Sequence, residues 1–387
     1  MKILVTGGAG FIGSNIANAL IEEREEEEEG EARARKAHEH TTKTTRDDDS
    51  KRKENNSKPN KVIALDDLSL GSISNLSKQV KFVKGSVMDY DLVLELSKEC
   101  NYIFHHAALS SSPMFVNDPR KGVDINVMGF MNVMEAAKRN KVKKVIYASS
   151  SSVYNGLPIP FKESYIIIPK TFYESSFYCR EIIAKTYYLE HGLHSIGLRY
   201  FSIYGPNEKH KGRFANNISQ FIWDIAEERK SPVIYGDGNQ TRDFTFVEDV
   251  VQANILAMRK KEERGSSSYD NDYDQTGNKS SSSSSSHPDS ENISHPGNND
   301  GSRGSRIYNI GTGIHTSFNQ LIEIINKHLG TNIKATYISN PINNYVLHTN
   351  ADISLARLEL GYEPKWKNID DGIKKLLLSS SSQSIRI

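Results

Sequence analysis

The stretch TGGAGFIGS, residues 6–14, decides the fold class of this chain. It follows the apolar run KILV and precedes NIANALIEE, whose apolar residues have helical spacing. Glycine permits a tight turn and a close approach of the main chain to a pyrophosphate, and the following helix offers free N–H groups to the anion. A turn without a ligand also uses glycine, but a dinucleotide-binding loop requires this strand–turn–helix context. The residues predicted to bind the dinucleotide here are Gly7, Gly10, Phe11, Ile12 and Gly13.

The next apolar run, KVIALDD, ends in two acidic residues, Asp66 and Asp67. A carboxylate at the end of the second strand accepts hydrogen bonds from the ribose hydroxyls of NAD and repels the additional phosphate of NADP. We therefore predict that NAD is the cofactor and that Asp66 and Asp67 help to bind it. Residues 22–60, which separate the loop from these acids, are almost wholly charged or polar, and we interpret them as a surface insertion.

Apolar runs alternate with helical patterns along the first half of the chain. This alternation predicts an α/β fold, a Rossmann-type doubly wound parallel sheet with a smaller α/β substrate-binding lobe. We expect residues 1–201 to form the NAD-binding domain. Residues 202–387 should form mainly the substrate-binding lobe, with 232–261 returning to the first domain. We interpret residues 262–306 as a low-complexity insertion and residues 379–387 as a frayed tail.

Composition excludes several classes of partner. The 387 residues include 49 Lys and Arg against 48 Asp and Glu, so no net charge favours nucleic acid or a membrane surface. Two cysteines are too few for a disulfide framework and fit a reducing compartment. The first apolar run is too short for a secretion signal, and no run is long enough for a membrane helix. We therefore expect a cytoplasmic protein.

We expect no metal, because the histidines lack the ligand spacing of a zinc site.

Further motifs are FHHAAL (104–109), ASSSSVY (148–154), LRYFSIYGP (198–206) and GDGNQTRDFTFVEDVV (236–251). With these motifs the chain resembles the extended short-chain dehydrogenase/reductase family, and within it the NAD-dependent nucleotide-sugar epimerases of the UDP-glucose 4-epimerase type. The resemblance covers nearly all of the chain outside the two insertions and the tail. It implies epimerisation at C4 of a UDP-hexose or UDP-N-acetylhexosamine through a 4-keto intermediate, with NAD carrying the hydride.

The resemblance also implies roles for individual residues. Tyr173 would be the base that takes the O4 proton, and it would contact NAD as well. Ser150 would hydrogen-bond O4, and Asn126 would belong to the same catalytic group. Ala107 would join the NAD site. The residues implied to bind the nucleotide sugar are Ser202, Arg242 and Thr349; the last has a small side chain at the position that decides whether an N-acetyl group fits.

The stretch YESSFYCRE, residues 173–181, departs from the family pattern because Phe177 stands where the family has a lysine. An unperturbed tyrosine has a pKa of about 10, and a nearby cation is needed to lower it toward neutral pH. Phenylalanine supplies no charge, so we expect reduced activity. A second departure is that Ile342 and Leu347 lie in the stretch that usually carries arginines for the diphosphate.

Two alternative functions stay open. A non-catalytic or weakly active protein that binds NAD and a nucleotide sugar would also be consistent with Phe177. A sugar-nucleotide dehydratase or decarboxylase is the other alternative. A dehydratase needs an Asp–Glu pair after the catalytic hydroxyl, and Ser151 and Ser152 at these positions argue against that activity.

The resemblance implies one protein partner, a second copy of the chain. The helices predicted over NVMGFMNVMEAAKR (residues 126–139) and from Tyr173 onward are those that the family pairs into a dimeric four-helix bundle. Both have apolar faces at helical spacing. We therefore expect a homodimer that binds a UDP-sugar and has no nucleic-acid or membrane partner.

Overall fold

A computed structural model of the chain describes residues 1–22, 60–116, 118–261, 304–341 and 345–384. Most of the two expected insertions lies outside these residues, and so does Ile342. Within the described ranges, no helix combines the length and the apolar character needed to cross a membrane.

The described strands are β1 (Lys2–Thr6), β2 (Lys61–Asp66), β3 (Lys81–Lys84), β4 (Tyr102–His105), β5 (Lys144–Ser150), β6 (Ser195–Tyr200), β7 (Ile203–Tyr204), β8 (Val233–Tyr235), β9 (Thr241–Arg242), β10 (Thr245–Phe246), β11 (Ser305–Ile310), β12 (Thr316–Ser317) and β13 (Thr336–Ile338). The described helices are α1 (11–22), α2 (Tyr90–Leu96), α3 (Pro119–Val123), α4 (Gly129–Arg139), α5 (Phe172–His191), α6 (Asn217–Ile222), α7 (Val247–Arg259), α8 (Phe318–Leu329), α9 (Ser354–Leu360) and α10 (Ile369–Ser384).

In this part of the chain, seven strands form one central sheet in the order β11-β6-β5-β4-β1-β2-β3, and each neighbouring pair is parallel. The chain builds outward from β1 to β3 and then returns to build β4, β5 and β6 on the other side. Such a reversal opens a ligand-binding crevice at the carboxyl ends of β1 and β4. The predicted doubly wound parallel sheet is confirmed, with β11 as a strand that the sequence analysis did not place in it.

Both faces of the sheet are covered. Ile3 and Val5 of β1 belong to one apolar cluster and Leu4 to another, because successive side chains of a strand point to opposite faces. Helices α1 and α7 contribute to the first cluster. Helices α2 and α4, with the middle of α5, contribute to the second. This three-layer packing explains why the strands read as nearly continuous apolar runs.

The described chain ends that flank the two expected insertions lie at the amino edge of the sheet. The Asn60 side-chain amide donates to the carbonyl oxygen of Leu20 at 2.9 Å, so α1 ends beside the beginning of β2. The Lys144 ammonium, at the start of β5, donates to the carbonyl oxygen of Lys260 at 2.6 Å, just past the end of α7. The following strand β11 begins with Ser305 paired to Ser195, the first residue of β6. Both gaps therefore open on the side opposite the crevice.

A smaller lobe covers the carboxyl edge. Helices α6, α8 and α10 share a third apolar cluster. The buried carboxylate of Asp243 accepts hydrogen bonds from the main-chain N–H groups of Thr312 (2.8 Å), Gly313 (3.0 Å) and Ala351 (3.0 Å). Because Thr312 follows β11 closely, these bonds fix the lobe to the central sheet. Helix α10 includes residues 379–384 of the expected tail.

Candidate active site

The glycine loop forms where β1 ends. The main chain turns at Gly7 with a φ of 66°, and a Cβ there would lie 2.6 Å from the main-chain nitrogen of Ala107. Only glycine fits this crossing. The first hydrogen bond of α1 runs from the N–H of Ser14 to the carbonyl oxygen of Gly10, at 3.0 Å. Phe11, Ile12 and Gly13 form the first turn of that helix. The structure thus brings together the predicted loop residues and Ala107 at the crevice.

Asp66 is buried against this loop. Its carboxylate accepts hydrogen bonds from the N–H of Ala9 at 3.0 Å and from the N–H of Leu68 at 2.8 Å. Burial raises the pKa of this carboxyl group, and the bonds from the main chain oppose the rise. Asp67 is exposed and accepts a hydrogen bond from the N–H of Ser69 at 2.9 Å. A glycine loop with one buried carboxylate facing it suits NAD. Contact of Asp66 with the ribose stays a prediction.

Tyr173 and Ser150 meet at the carboxyl end of β5. The Thr171 hydroxyl caps α5 by accepting from the N–H of Glu174 at 3.2 Å, which sets Tyr173 in the first helical turn. The Tyr173 hydroxyl lies 3.4 Å from the Ser150 hydroxyl and donates to the carbonyl oxygen of Ser110 at 3.2 Å. The Ser150 hydroxyl lies 2.5 Å from that of Ser152. Three hydroxyl groups therefore form a chain that ends at the phenol.

The pKa of the Tyr173 phenol is raised, first of all by its burial. The Ser150 and Ser152 hydroxyls and the charge of Arg180 act in the opposite direction. A tyrosine that serves as a base needs positive charge nearby, so the charges around this phenol decide what it can do.

Asn126 lies on a π-helical turn, Asp124–Met128, and is fully buried. Its side-chain amide donates to the Ser176 hydroxyl at 3.0 Å and accepts from the N–H of Leu109 at 2.8 Å. It therefore joins α5 to the loop after β4, which carries the Ser110 carbonyl that accepts from Tyr173. A direct role in the reaction stays a prediction.

Phe177 and Arg180 lie beneath Tyr173. The Phe177 ring is only 3% exposed, and its centre lies 5.0 Å from that of the Tyr173 ring. The Arg180 guanidinium carbon lies 4.8 Å from the centre of the Phe177 ring. Sequence reasoning missed Arg180, although a residue seven positions after Tyr173 lies on the same helical face. That spacing is the signal that could have found it.

The predicted substrate residues lie along the same edge. Ser202 lies two residues past the end of β6, whose last residue, Tyr200, pairs with Ser150. Arg242 donates to the carbonyl oxygens of Val346 at 2.6 Å and Leu347 at 2.9 Å, so its guanidinium holds that segment.

Thr349 is buried, and its hydroxyl accepts from the N–H of Asp243 at 3.1 Å. Because Asp243 follows Arg242 in the chain, the structure brings Thr349 and Arg242 together. Contact of these side chains with a nucleotide sugar stays a prediction.

Two histidines at the end of β4 are structural neighbours of the site. His105 Nδ1 lies 2.8 Å from the Thr6 hydroxyl, and His106 Nε2 lies 2.9 Å from the Tyr200 hydroxyl. Burial lowers the pKa of both rings, that of His106 to about 3, so both are neutral at physiological pH. Among the residues that the structure describes, no three His, Cys, Asp or Glu side chains are grouped to hold a metal ion.

The chain is similar in sequence and in fold to known proteins. The profile of the NAD dependent epimerase/dehydratase family matches residues 3–270. A Methanocaldococcus jannaschii protein with the provisional name UDP-glucose 4-epimerase is 31% identical, over 97% of each chain. A UDP-N-acetylglucosamine 4-epimerase from Methanobrevibacter ruminantium, solved with UDP-N-acetylmuramic acid, is 28% identical with a TM-score of 0.74, over 99% of this chain and 98% of its own.

The Thermotoga maritima UDP-glucose 4-epimerase, solved with UDP-glucose, is 26% identical with a TM-score of 0.75, over 99% of each chain. The two solved structures each match 99% of this chain, and the family that they indicate agrees with the glycine loop. The chain therefore belongs to the NAD dependent epimerase/dehydratase family, and NAD is its cofactor.

Proposed function

We propose that this protein epimerises C4 of a UDP-hexose or UDP-N-acetylhexosamine through a 4-keto intermediate. The observation that carries the proposal is the pair of Tyr173 and Ser150 hydroxyls, 3.4 Å apart, at the crevice beside the glycine loop. A phenol and an alcohol at this spacing can both reach one sugar hydroxyl.

The residues of this chain supply the proton chemistry. The Tyr173 phenolate takes the O4 proton of the sugar, and the phenol returns it after the intermediate has turned over. Ser150 donates a hydrogen bond to O4 when the Ser152 hydroxyl, 2.5 Å away, donates to Ser150. NAD, held by the glycine loop and Asp66, would supply a hydride acceptor for C4 and a hydride donor for the return to the opposite face. The apolar floor formed by Phe177 limits the access of water to the phenol.

The proposed substrate class has two supports. The two solved relatives at 28% and 26% identity are 4-epimerases that were solved with UDP-sugars. The Thr349 side chain, at the position implied to limit substrate size, is small, which leaves room for an N-acetyl group beside C2. We therefore propose that both UDP-hexoses and UDP-N-acetylhexosamines are accepted.

The two alternatives have weaker support. A dehydratase requires an acid near the catalytic hydroxyl to eliminate water. Here the group beside the Ser150 hydroxyl is another hydroxyl, that of Ser152, which is hydrogen-bonded to it. A protein that only binds NAD and a nucleotide sugar needs no paired hydroxyls at the crevice. The buried cation Arg180, near Tyr173, further favours catalysis.

The decisive experiment is an assay with UDP-galactose and UDP-N-acetylgalactosamine. Replacing the base should remove most turnover, so we expect Tyr173→Phe to lower kcat by about 100- to 10,000-fold. Tyr178→Phe, on the same helix, is the matched control and should keep at least half of the wild-type rate. Turnover by Tyr173→Phe at the wild-type rate would contradict the assignment. A wild-type protein that binds NAD but converts neither sugar would favour the non-catalytic alternative.

A second prediction concerns substrate size. Thr349→Tyr should reduce kcat/KM for UDP-N-acetylgalactosamine at least tenfold more than for UDP-galactose, a difference of about 1.4 kcal/mol. Thr349→Ser is the control, because it keeps the hydroxyl that accepts from the N–H of Asp243. An unchanged ratio in Thr349→Tyr would remove this residue from the sugar pocket.

A third prediction concerns the cofactor. Because the Asp66 carboxylate repels an additional phosphate, NAD should bind at least about tenfold more tightly than NADP, or about 1.4 kcal/mol. Calorimetry should show that Asp66→Ser narrows this ratio, while Asp67→Asn, at an exposed position, changes it less than threefold. Equal affinities of the wild type for NAD and NADP would refute the role given to Asp66.

A fourth prediction concerns assembly, since we propose a homodimer through α4 and α5. Ile182 and Leu189 of α5 are 51% and 59% exposed, and their seven-residue spacing places them on one face. Light scattering at micromolar concentration should give the dimer mass, and Leu189→Glu should shift it toward the monomer. Leu358→Glu, at an exposed leucine of α9, should leave the mass unchanged. A monomeric wild type would rule out the dimer.

A further inference from the structure

Arg180 is a fully buried cation in the middle of α5. Its guanidinium donates to three main-chain carbonyl oxygens, those of Asn126 at 2.7 Å, Ala107 at 3.1 Å and Ala148 at 3.4 Å. Within the described residues it has no carboxylate partner, because the adjacent Glu181 forms an ion pair with Arg199 at 2.5 Å. The charge of Arg180 is therefore held by carbonyl dipoles and aromatic rings and is not neutralised by an anion.

Such an arrangement is costly. Removing a guanidinium from water is unfavourable by several kcal/mol unless a charge or strong hydrogen bonds compensate. A neutral side chain with an N–H donor could join the same carbonyl groups without this cost. The position of the uncompensated charge, directly below the reactive tyrosine, suggests what the charge does.

Three side chains of α5 form a row at this point, and the Tyr173 and Phe177 rings in it meet edge to face. The centres of the Tyr173 and Phe177 rings are 5.0 Å apart. The guanidinium carbon of Arg180 lies 4.8 Å from the centre of the same Phe177 ring, so Phe177 contacts both of the other side chains. Phe177 excludes water between cation and phenol, so the field of the cation is poorly screened. The Phe177 ring also holds the cation in place, because a guanidinium is attracted to an aromatic face.

We infer that Arg180 is a positioning residue that stabilises the ionised form of Tyr173. It would supply, from one turn further along α5, the positive charge that a lysine at position 177 would have supplied. The consequence for catalysis rests on the proposed function, but the effect on the phenol does not.

The other charged and titratable groups near this row of side chains do not replace Arg180. Glu174, on α5, is buried and opposes ionisation of the phenol. His105 and His106, which face Arg180 from β4, have pKa values lowered by burial and are neutral. Tyr147, on β5, has a pKa raised well above its ordinary value and stays protonated. Burial lowers the pKa of Arg180 to about 9, which leaves it charged at neutral pH.

The test is an NMR titration of the Tyr173 phenol in the NAD-bound protein, with tyrosine labelled at the ring carbon that bears oxygen and with Tyr173→Phe to assign the signal. Arg180→Met removes the charge and keeps the length of the side chain. We expect it to move the titration midpoint of Tyr173 upward by at least about one pH unit. Arg180→Lys keeps the charge, so its Tyr173 midpoint should differ from that of the wild type by less than half of the change in Arg180→Met. If Arg180→Met does not fold, Arg180→Gln, which keeps an N–H donor, gives the same comparison.

Activity is the second readout. Because only the phenolate takes the proton, Arg180→Met should displace the rising limb of the pH–rate profile to higher pH and lower kcat at pH 7 by about tenfold. The double variant Phe177→Lys/Arg180→Met returns the cation to position 177 and should recover most of this loss. A role confined to folding would lower the melting temperature without moving the pH profile.

The outcomes separate the two proposals. An identical Tyr173 midpoint in wild type and Arg180→Met, or a phenol that stays protonated to pH 11 in both, would overturn the inference about Arg180. A midpoint that moves as expected in a protein that converts no UDP-sugar would uphold the inference and overturn the proposed function.

Discussion

The parallel register of β1, β4 and β5 is the constraint on which the site depends. Thr6 pairs with His105, and His105 pairs with Tyr147, so β1 and β4 end at the same level while β5 runs three residues further, to Ser150. The residues that follow, among them Gly7 and Ala107, then emerge side by side. A slip in this register would separate the glycine loop from the hydroxyl groups at the end of β5, because each residue of slip moves a strand by about 3.3 Å.

Helix α5 closes this edge and carries charges in two directions. Glu181 turns toward Arg199 of β6 and accepts from the Ser149 hydroxyl at 2.6 Å. Arg180 turns the other way, toward the ends of β4 and β5. Neighbouring residues on one helix thus hold one compensated and one uncompensated charge. The ion pair of Glu181 with Arg199 ties α5 to the sheet, and Arg180 places a positive charge beside the carboxyl ends of β4 and β5.

Much of this arrangement could be predicted from the sequence, because the signals are local. The glycine loop, the acid at the end of β2 and the alternating elements each lie within a short stretch. Arg180 could not be assigned in this way, since its partners are carbonyl groups from three other parts of the chain. The bonds of Arg242 to residues 346 and 347 were hidden for the same reason. Strand β11 was missed because it follows directly on a low-complexity stretch.

The contact between Asn60 and Leu20 has a consequence for how this protein can vary. It brings together the two chain ends of the first gap, so the length of the intervening chain need not change the packing of α1 or β2. The described residues on either side of the second gap, Lys260 and Ser305, lie at the same amino edge of the sheet. Whole domains could therefore be fused at either place, far from the crevice, and natural lineages could lengthen or shorten both segments without altering the chemistry.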